Sequence, residues 1–224
     1  MKPIIGIILR PEKSIEGNDT LCIYKQVSDA IIKHGGIPLG IIPPNIDNYY
    51  GNDINNTKTL TLEEVETIKR MIDLCDGIIC QGGDDYYDYD LETIKYSYKI
   101  DKPLLGICLG MQAMGVAFNG EMDDLNNQNH LQKGIDYVHK ININTNSKLY
   151  EILQEQQIIV NSRHKSTVIK TDLDIVGMSD DNIIEALEDK NKTFFIGLQW
   201  HPESMIEYDV LMNRLFAYFI KKCR

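Results

Sequence analysis

Cys108 stands between two glycines in Gly106-Ile107-Cys108-Leu109-Gly110, where an apolar run changes period. Residues 103–107 are too few for a helix and read as a buried strand, whereas Leu109, Ala113, Val116 and Ala117 recur with helical spacing. The cysteine therefore falls on a tight strand-to-helix turn, in which side chains at positions 106 and 110 would crowd. Such a turn lifts a thiol to the carboxyl edge of a sheet, over the free N–H groups of a helix's first turn. That environment favours a thiolate and the oxyanion formed when it attacks a carbonyl.

A nucleophilic thiol needs a base, and His201-Pro202-Glu203 supplies one at the end of the aromatic-rich strand Phe194-Phe195-Ile196-Gly197-Leu198. Pro202 biases His201 toward extended backbone, so the residue two further on projects to the same side. Glu203 can then accept from one ring nitrogen, fix the tautomer and leave the other nitrogen to exchange a proton with the thiol.

Together, Gly106-Ile107-Cys108-Leu109-Gly110-Met111-Gln112 and Gln199-Trp200-His201-Pro202-Glu203 resemble the class I glutamine amidotransferase superfamily over nearly the whole chain. The nearest likeness within it is to the γ-glutamyl-γ-aminobutyrate hydrolase family. It rests on Tyr24, Gly35-Gly36-Ile37-Pro38-Leu39 and Pro43, on Gln81-Gly82-Gly83-Asp84-Asp85, and on Val160-Asn161-Ser162-Arg163-His164. The resemblance implies a Cys108, His201, Glu203 triad and an oxyanion hole from the loop at Gly82-Gly83 and the N–H of Leu109. It also implies a glutamyl-binding role for Gln112 and a substrate contact for His164, with no metal and no cofactor. Lys165 and Ser166 depart from the family's Asn-Ser-x-His-His-Gln pattern, the proline usual after Asp85 is absent, and Leu109 replaces the arginine common in the polyamine-pathway hydrolases.

With 224 residues, 43% hydrophobic and 25% charged, the composition is that of one ordinary α/β domain, residues 1–224. A formal charge of −10 repels nucleic acid and anionic membrane, so neither is an expected partner. The apolar run before Arg10 is too short for a signal h-region or a membrane span, which suggests a cytoplasmic protein. Cys22, Cys75, Cys80, Cys108 and Cys223 suggest neither a disulfide framework nor a zinc site. Cys223 reads as an exposed tail residue and the other three as core.

Strands and helices must alternate to present this turn. A strand up to Leu9, a polar loop over 10–20, a helix over 21–34 and a strand over 37–42 open the chain. An Asn/Asp-rich loop runs to Lys58, Thr61 and Glu64 form a capping box, and the helix they open continues to about Leu74. A strand over 78–81 precedes Gly82-Gly83, and a helix over 91–100 returns the chain to the turn. Residues 84–90, which alternate carboxylates with tyrosines, form a lip suited to a cationic or aromatic amine. Residues 119–134 are a polar loop in which His130 reads as a surface residue. Short strands over 137–143, 157–161, 166–170 and 175–179, a brief helix over 149–153, a hairpin over 183–198 and an amphipathic helix over 209–222 follow. The expected fold is a mostly parallel central sheet flanked by helices, flavodoxin-like, with an additional antiparallel region.

These residues predict a cysteine hydrolase that cleaves the γ-glutamyl amide bond of a small compound to release glutamate through a thioester. A homodimer is compatible with this reading. Two rivals use the same fold: a glutaminase subunit feeding ammonia to a synthase partner, and a non-catalytic ligand-binding or regulatory protein.

Overall fold

The computed structural model describes residues 1–50, 55, 57–125 and 128–224. The first half of the chain runs β1 (Ile4–Ile8), β2 (Arg10–Lys13), β3 (Asp19–Cys22), α1 (Lys25–Lys33), β4 (Ile37–Ile41), α2 (Leu62–Asp73), β5 (Gly77–Cys80), α3 (Asp88–Lys99), β6 (Leu104–Ile107) and α4 (Leu109–Ala117). It continues through β7 (Glu121–Asp124), β8 (His139–Ile143), α5 (Lys148–Leu153), β9 (Gln157–Val160), β10 (Ser166–Lys170), β11 (Asp174–Ser179), β12 (Ile184–Glu188), β13 (Phe195–Leu198) and α6 (Val210–Lys222).

Among the described residues a nine-stranded sheet has the order β4-β1-β5-β6-β13-β12-β11-β8-β9. The first five strands are mutually parallel, and each later pairing is antiparallel. Inner parallel strands lie under helices on both faces, which is why β5, β6 and β13 are continuous apolar runs without alternation. One face packs against α1, α5 and α6 through Ile5, Ile7, Phe216 and Phe219. The other packs against α2, α3 and α4 through Ile68, Ile72, Ile94 and Met111. Each such large side chain stabilises the fold by roughly 1.5–3 kcal/mol.

Register brings the functional segments together. Cys80 pairs with Gly106 and Ile107 with Leu198, so β5, β6 and β13 end side by side. Gln81-Gly82-Gly83, Cys108 and Gln199-Trp200-His201 leave three neighbouring strands at their carboxyl ends, where parallel sheets carry ligand sites.

Several local expectations change. The segment over 10–20 is a hairpin, β2 against β3, closed around Gly17 at φ +83 and by a Lys13–Asp19 ion pair. Its strands hold a buried Arg10 and half-buried or exposed residues but no apolar face, which hides them from pattern reading. Leu21 and Cys22 belong to this hairpin, so α1 starts at Lys25. Helix α3 starts at Asp88, three residues early, because Asp90 turns back to accept from the Tyr87 N–H at 3.0 Å. Cys223 is buried, its sulfur packed against Gly77. His130 is buried as well, at 1% exposure. The Thr61–Glu64 capping box forms as expected. Part of the Asn/Asp-rich loop before Lys58 and part of the polar segment over 119–134 lie outside the described residues.

The two glycines flanking Cys108 are fixed by close approach. A Cβ on Gly106 would lie 2.5 Å from the Met114 sulfur and 2.8 Å from the Gly110 carbonyl carbon. One on Gly110 would overlap the carbonyl oxygen of Cys80 and lie 2.8 Å from its carbon. Backbone cannot yield as a flexible side chain does, so Gly110→Ala is expected to lower unfolding free energy by about 3 kcal/mol or more, read from urea denaturation midpoints. An unchanged midpoint would mean that the helix does not rest on β5 in this way.

Candidate active site

Cys108 is the only residue between β6 and α4, and its backbone adopts φ 51, ψ −104. A non-glycine residue held there stores roughly 1–3 kcal/mol of strain. Its N–H donates to the Leu198 carbonyl at 2.7 Å and its own carbonyl accepts from Gln112 at 3.1 Å, which locks both sides of the turn. The N–H groups of Leu109, Gly110 and Met111 have no acceptor inside the helix they begin.

His201 enters from β13. Asn161 grips its backbone from both sides, accepting its N–H at 2.8 Å and donating to its carbonyl at 2.8 Å. Glu203 sits in a 3-10 turn over Pro202–Ser204, not on an extended chain, yet its Oε1 reaches His201 Nδ1 at 2.8 Å. Burial alone would lower the His201 pKa, but the neighbouring Glu203 and then Cys108 raise it to about 10. The imidazole therefore holds its proton at neutral pH. Gln199 Nε2 points at the Cys108 sulfur from 3.6 Å.

Gly82 packs over the same ring, where a Cβ would lie 3.1 Å from His201 Cε1 and 3.8 Å from Cys108 Cβ. Its carbonyl accepts from Arg10 Nε at 3.3 Å, and the Gln81 carbonyl accepts from Arg10 Nη2 at 3.0 Å. In a trans peptide the N–H opposes the C=O, so the Gly83 N–H is turned away from Arg10. Arg10 is fixed in turn by both Asp90 oxygens, at 2.8 and 2.7 Å. Burial would lower the Arg10 pKa, and Asp90 more than reverses that, keeping the guanidinium charged. Gln81 ties the loop to its neighbours by accepting from the Tyr24 N–H and donating to the Ile8 and Cys22 carbonyls.

A cleft of about 190 Å³ opens beside Cys108, lined by Gly83, Gln112 and His164 and by the charged Asp84, Lys133, Arg163 and Lys165. Gln112 donates from Nε2 to the Ser166 carbonyl at 2.9 Å and to Gln199 Oε1 at 3.1 Å, which leaves its oxygen as the group it can offer a ligand. His164 borders the cleft, but both its nitrogens face other groups: Nδ1 donates to Ser166 O at 3.0 Å, and Nε2 lies 3.2 Å from His130 Nδ1. A second cavity of about 630 Å³ shares Gly83 and Asp84 with the cleft and is lined also by Glu12, Lys13, Tyr50 and Asp85. The expected lip over 84–90 is only half present. Tyr89 and Asp90 are buried, Tyr87 stacks with Tyr49 and Tyr89, and of this run only Asp84 and Asp85 bring charge to the two cavities.

The fold is that of a solved glutamine amidotransferase of Thermotoga maritima, which superposes with a TM-score of 0.63 at 13% identity, covering 100% of this chain and 99% of that one. Residues 3–203 match the Peptidase C26 family, and the chain belongs to it. A glutamine amidotransferase-like protein of Rickettsia prowazekii is 26% identical, covering 98% of this chain and 97% of that protein. The glutamine-hydrolyzing GMP synthase of Francisella tularensis is 33% identical over 57% of this chain, a stretch that makes up 24% of that longer protein. Among the described residues no helix is long and apolar enough to cross a membrane.

Arg10, Asp90 and Asn161 support the site, and no sequence spacing assigns them that role. Their traces are an arginine directly after the first apolar strand, an aspartate within the Asp/Tyr run and an asparagine just after β9, in the Val160–His164 stretch that carries part of the family resemblance. If Glu203 sets the charge on the imidazole, His201 should titrate near pH 10 in the intact protein. In Glu203→Gln it should titrate roughly 1–3 units lower, since loss of an adjacent anion disfavours the cation. Imidazole NMR shifts against pH test this, and identical titrations in the two proteins would rule it out.

Proposed function

We propose that this protein hydrolyses the γ-glutamyl amide bond of a small γ-glutamyl compound, of the γ-glutamyl-γ-aminobutyrate or γ-glutamyl-amine type. The reading is carried by one observation: the imidazole that Glu203 orients lies, with the thiol on a strained strand-to-helix turn, against the same glycine, Gly82. With a proton held on His201, the sulfur adds to the δ-carbonyl. The N–H groups of Leu109 and Gly83 stabilise the oxyanion. His201 delivers its proton to the departing amine as the C–N bond breaks, leaving a γ-glutamyl thioester. Water, losing a proton to the same nitrogen, attacks that ester and releases glutamate and the thiol.

Charge in the cleft suits the glutamyl end. Lys133, Arg163 and Lys165 offer cations to its α-carboxylate, and the Gln112 oxygen is free to accept from its ammonium. The amine portion then leaves toward the larger cavity beyond Gly83 and Asp84. A cytosolic setting agrees with five unpaired thiols.

The likeness to a stretch of GMP synthase supports a second reading, an ammonia-supplying glutaminase that works for a synthase partner. Both are tested by assaying the purified chain alone on a panel of γ-glutamyl amides that includes glutamine. The first reading expects partner-free turnover of at least one non-glutamine amide, and a loss of about a thousandfold or more in Cys108→Ala. Turnover confined to glutamine and sluggish until a synthase is added would favour the second. Undiminished activity in Cys108→Ala would exclude both.

A further inference from the structure

Behind the cleft, the buried carboxylate of Glu185 in β12 faces three imidazoles from three separate segments. Its Oε1 lies 3.3 Å from His130 Nδ1, 3.2 Å from His139 Nε2 and 3.5 Å from His164 Nε2. His130 follows β7, His139 opens β8, and His164 lies between β9 and β10. No part of the proposed hydrolysis uses Glu185, His130 or His139.

The outward hydrogen bonds of the rings decide which nitrogens are bare. His130 Nε2 donates to Asp181 Oδ2 at 3.0 Å, so in the neutral ring Nδ1 is a lone pair. His164 Nδ1 donates to the Ser166 carbonyl at 3.0 Å, so its Nε2 is a lone pair as well. Those two lone pairs face each other across 3.2 Å. Ser162 brings no donor, because its hydroxyl already donates to the His130 carbonyl at 2.9 Å. Among the described residues neither Glu185 oxygen nor His139 Nε2 makes a hydrogen bond of good geometry. Acceptors thus converge on one buried carboxylate, an arrangement that calls for a cation among them.

The geometry points to a divalent cation, zinc by its donor set, bound by His130, His139 and Glu185, with His164 Nε2 on the fourth side. The ligand atoms of the first three all lie within 4.8 Å of one another. A tetrahedral zinc with bonds of about 2.05 Å separates its ligand atoms by about 3.3 Å, and nitrogen with carboxylate oxygen is a set that zinc accepts. The separations of 3.2, 3.2, 3.3 and 3.5 Å cluster at that value. Asp181, itself held by the Ser179 hydroxyl at 2.6 Å, supplies the carboxylate–histidine–metal relay that orients such rings. The ion would tie β8 and β12 to the segments around His130 and His164, which carry Leu131 and Arg163 in the cleft wall. Its role is therefore to hold that wall in place, apart from the thiol chemistry.

The test uses the untagged full chain, stripped with a chelator, dialysed against zinc and then against buffer, with metal counted by mass spectrometry. Retention of a single zinc per chain is expected, with a rise in Tm. Cobalt in its place should show the intense visible absorption of a tetrahedral nitrogen/oxygen site without thiolate charge transfer. Glu185→Gln and His139→Asn should weaken zinc binding by about a hundredfold or more, while Cys108→Ala keeps it, which separates this site from the thiol whatever the fate of the hydrolase reading. A folded wild-type chain that retains no metal overturns the proposal, even if the variants do not fold. Imidazole NMR showing His130 protonated in the presence of zinc, or zinc lost only in Cys108→Ala, overturns it equally.

Discussion

The whole site hangs from the backbone of Cys108, which occupies a left-handed conformation that only its surroundings can enforce. Gly106 and Gly110 let α4 settle directly onto the end of β5, with the Gly110 α-carbon facing the Cys80 carbonyl. That contact aims the thiol outward and brings the first N–H groups of α4 beneath it. The strain of roughly 1–3 kcal/mol is offset by the apolar packing of Met111, Ala113 and Met114 on the sheet. A side chain at either glycine position would force the helix away and leave the sulfur aimed elsewhere.

Around this fixed point, each irregular segment is held by buried side chains that bond to backbone. Asn161 clamps His201, Arg10 and its partner Asp90 orient the Gly82 peptide, and Gln81 connects that loop to β1, β3 and the start of α1. Loops at the end of a parallel sheet leave backbone groups unpaired, and these side chains complete them while fixing their direction. Breaking the Arg10–Asp90 pair would leave an uncompensated charge in the core, which is why sheet stability and loop geometry are linked there.

Much of this was legible in the residue order because it depends on local spacing. The break in period at Cys108, the proline after His201, the capping box at Thr61 and the apolar runs of the inner strands all lie within a few residues of what they determine. What stayed hidden depends on pairs far apart in the chain. Arg10 meets Asp90 across 80 positions, and Glu185 and the three imidazoles around it come from four separate segments. His130 therefore reads as an ordinary residue of a polar loop, and Cys223 as tail, until the sheet brings partners to them. The polar hairpin over 10–20 escaped for a different reason, since a ribbon of polar and half-buried residues has no hydrophobic alternation to betray it.

A single thiol out of five is set apart in this account. Burial pushes Cys75 up to about 11 and Cys22 and Cys223 up to about 12, and raises Cys80 as well, so these four are poor nucleophiles at neutral pH. The most direct test is to treat the folded chain with a glutamine-analogue electrophile such as 6-diazo-5-oxo-norleucine and to map the adduct by peptide mass. One adduct is expected, on Cys108, suppressed when a γ-glutamyl amide competes. Labelling spread over the other cysteines, or a Cys108 that stays unmodified while the protein remains folded, would contradict it.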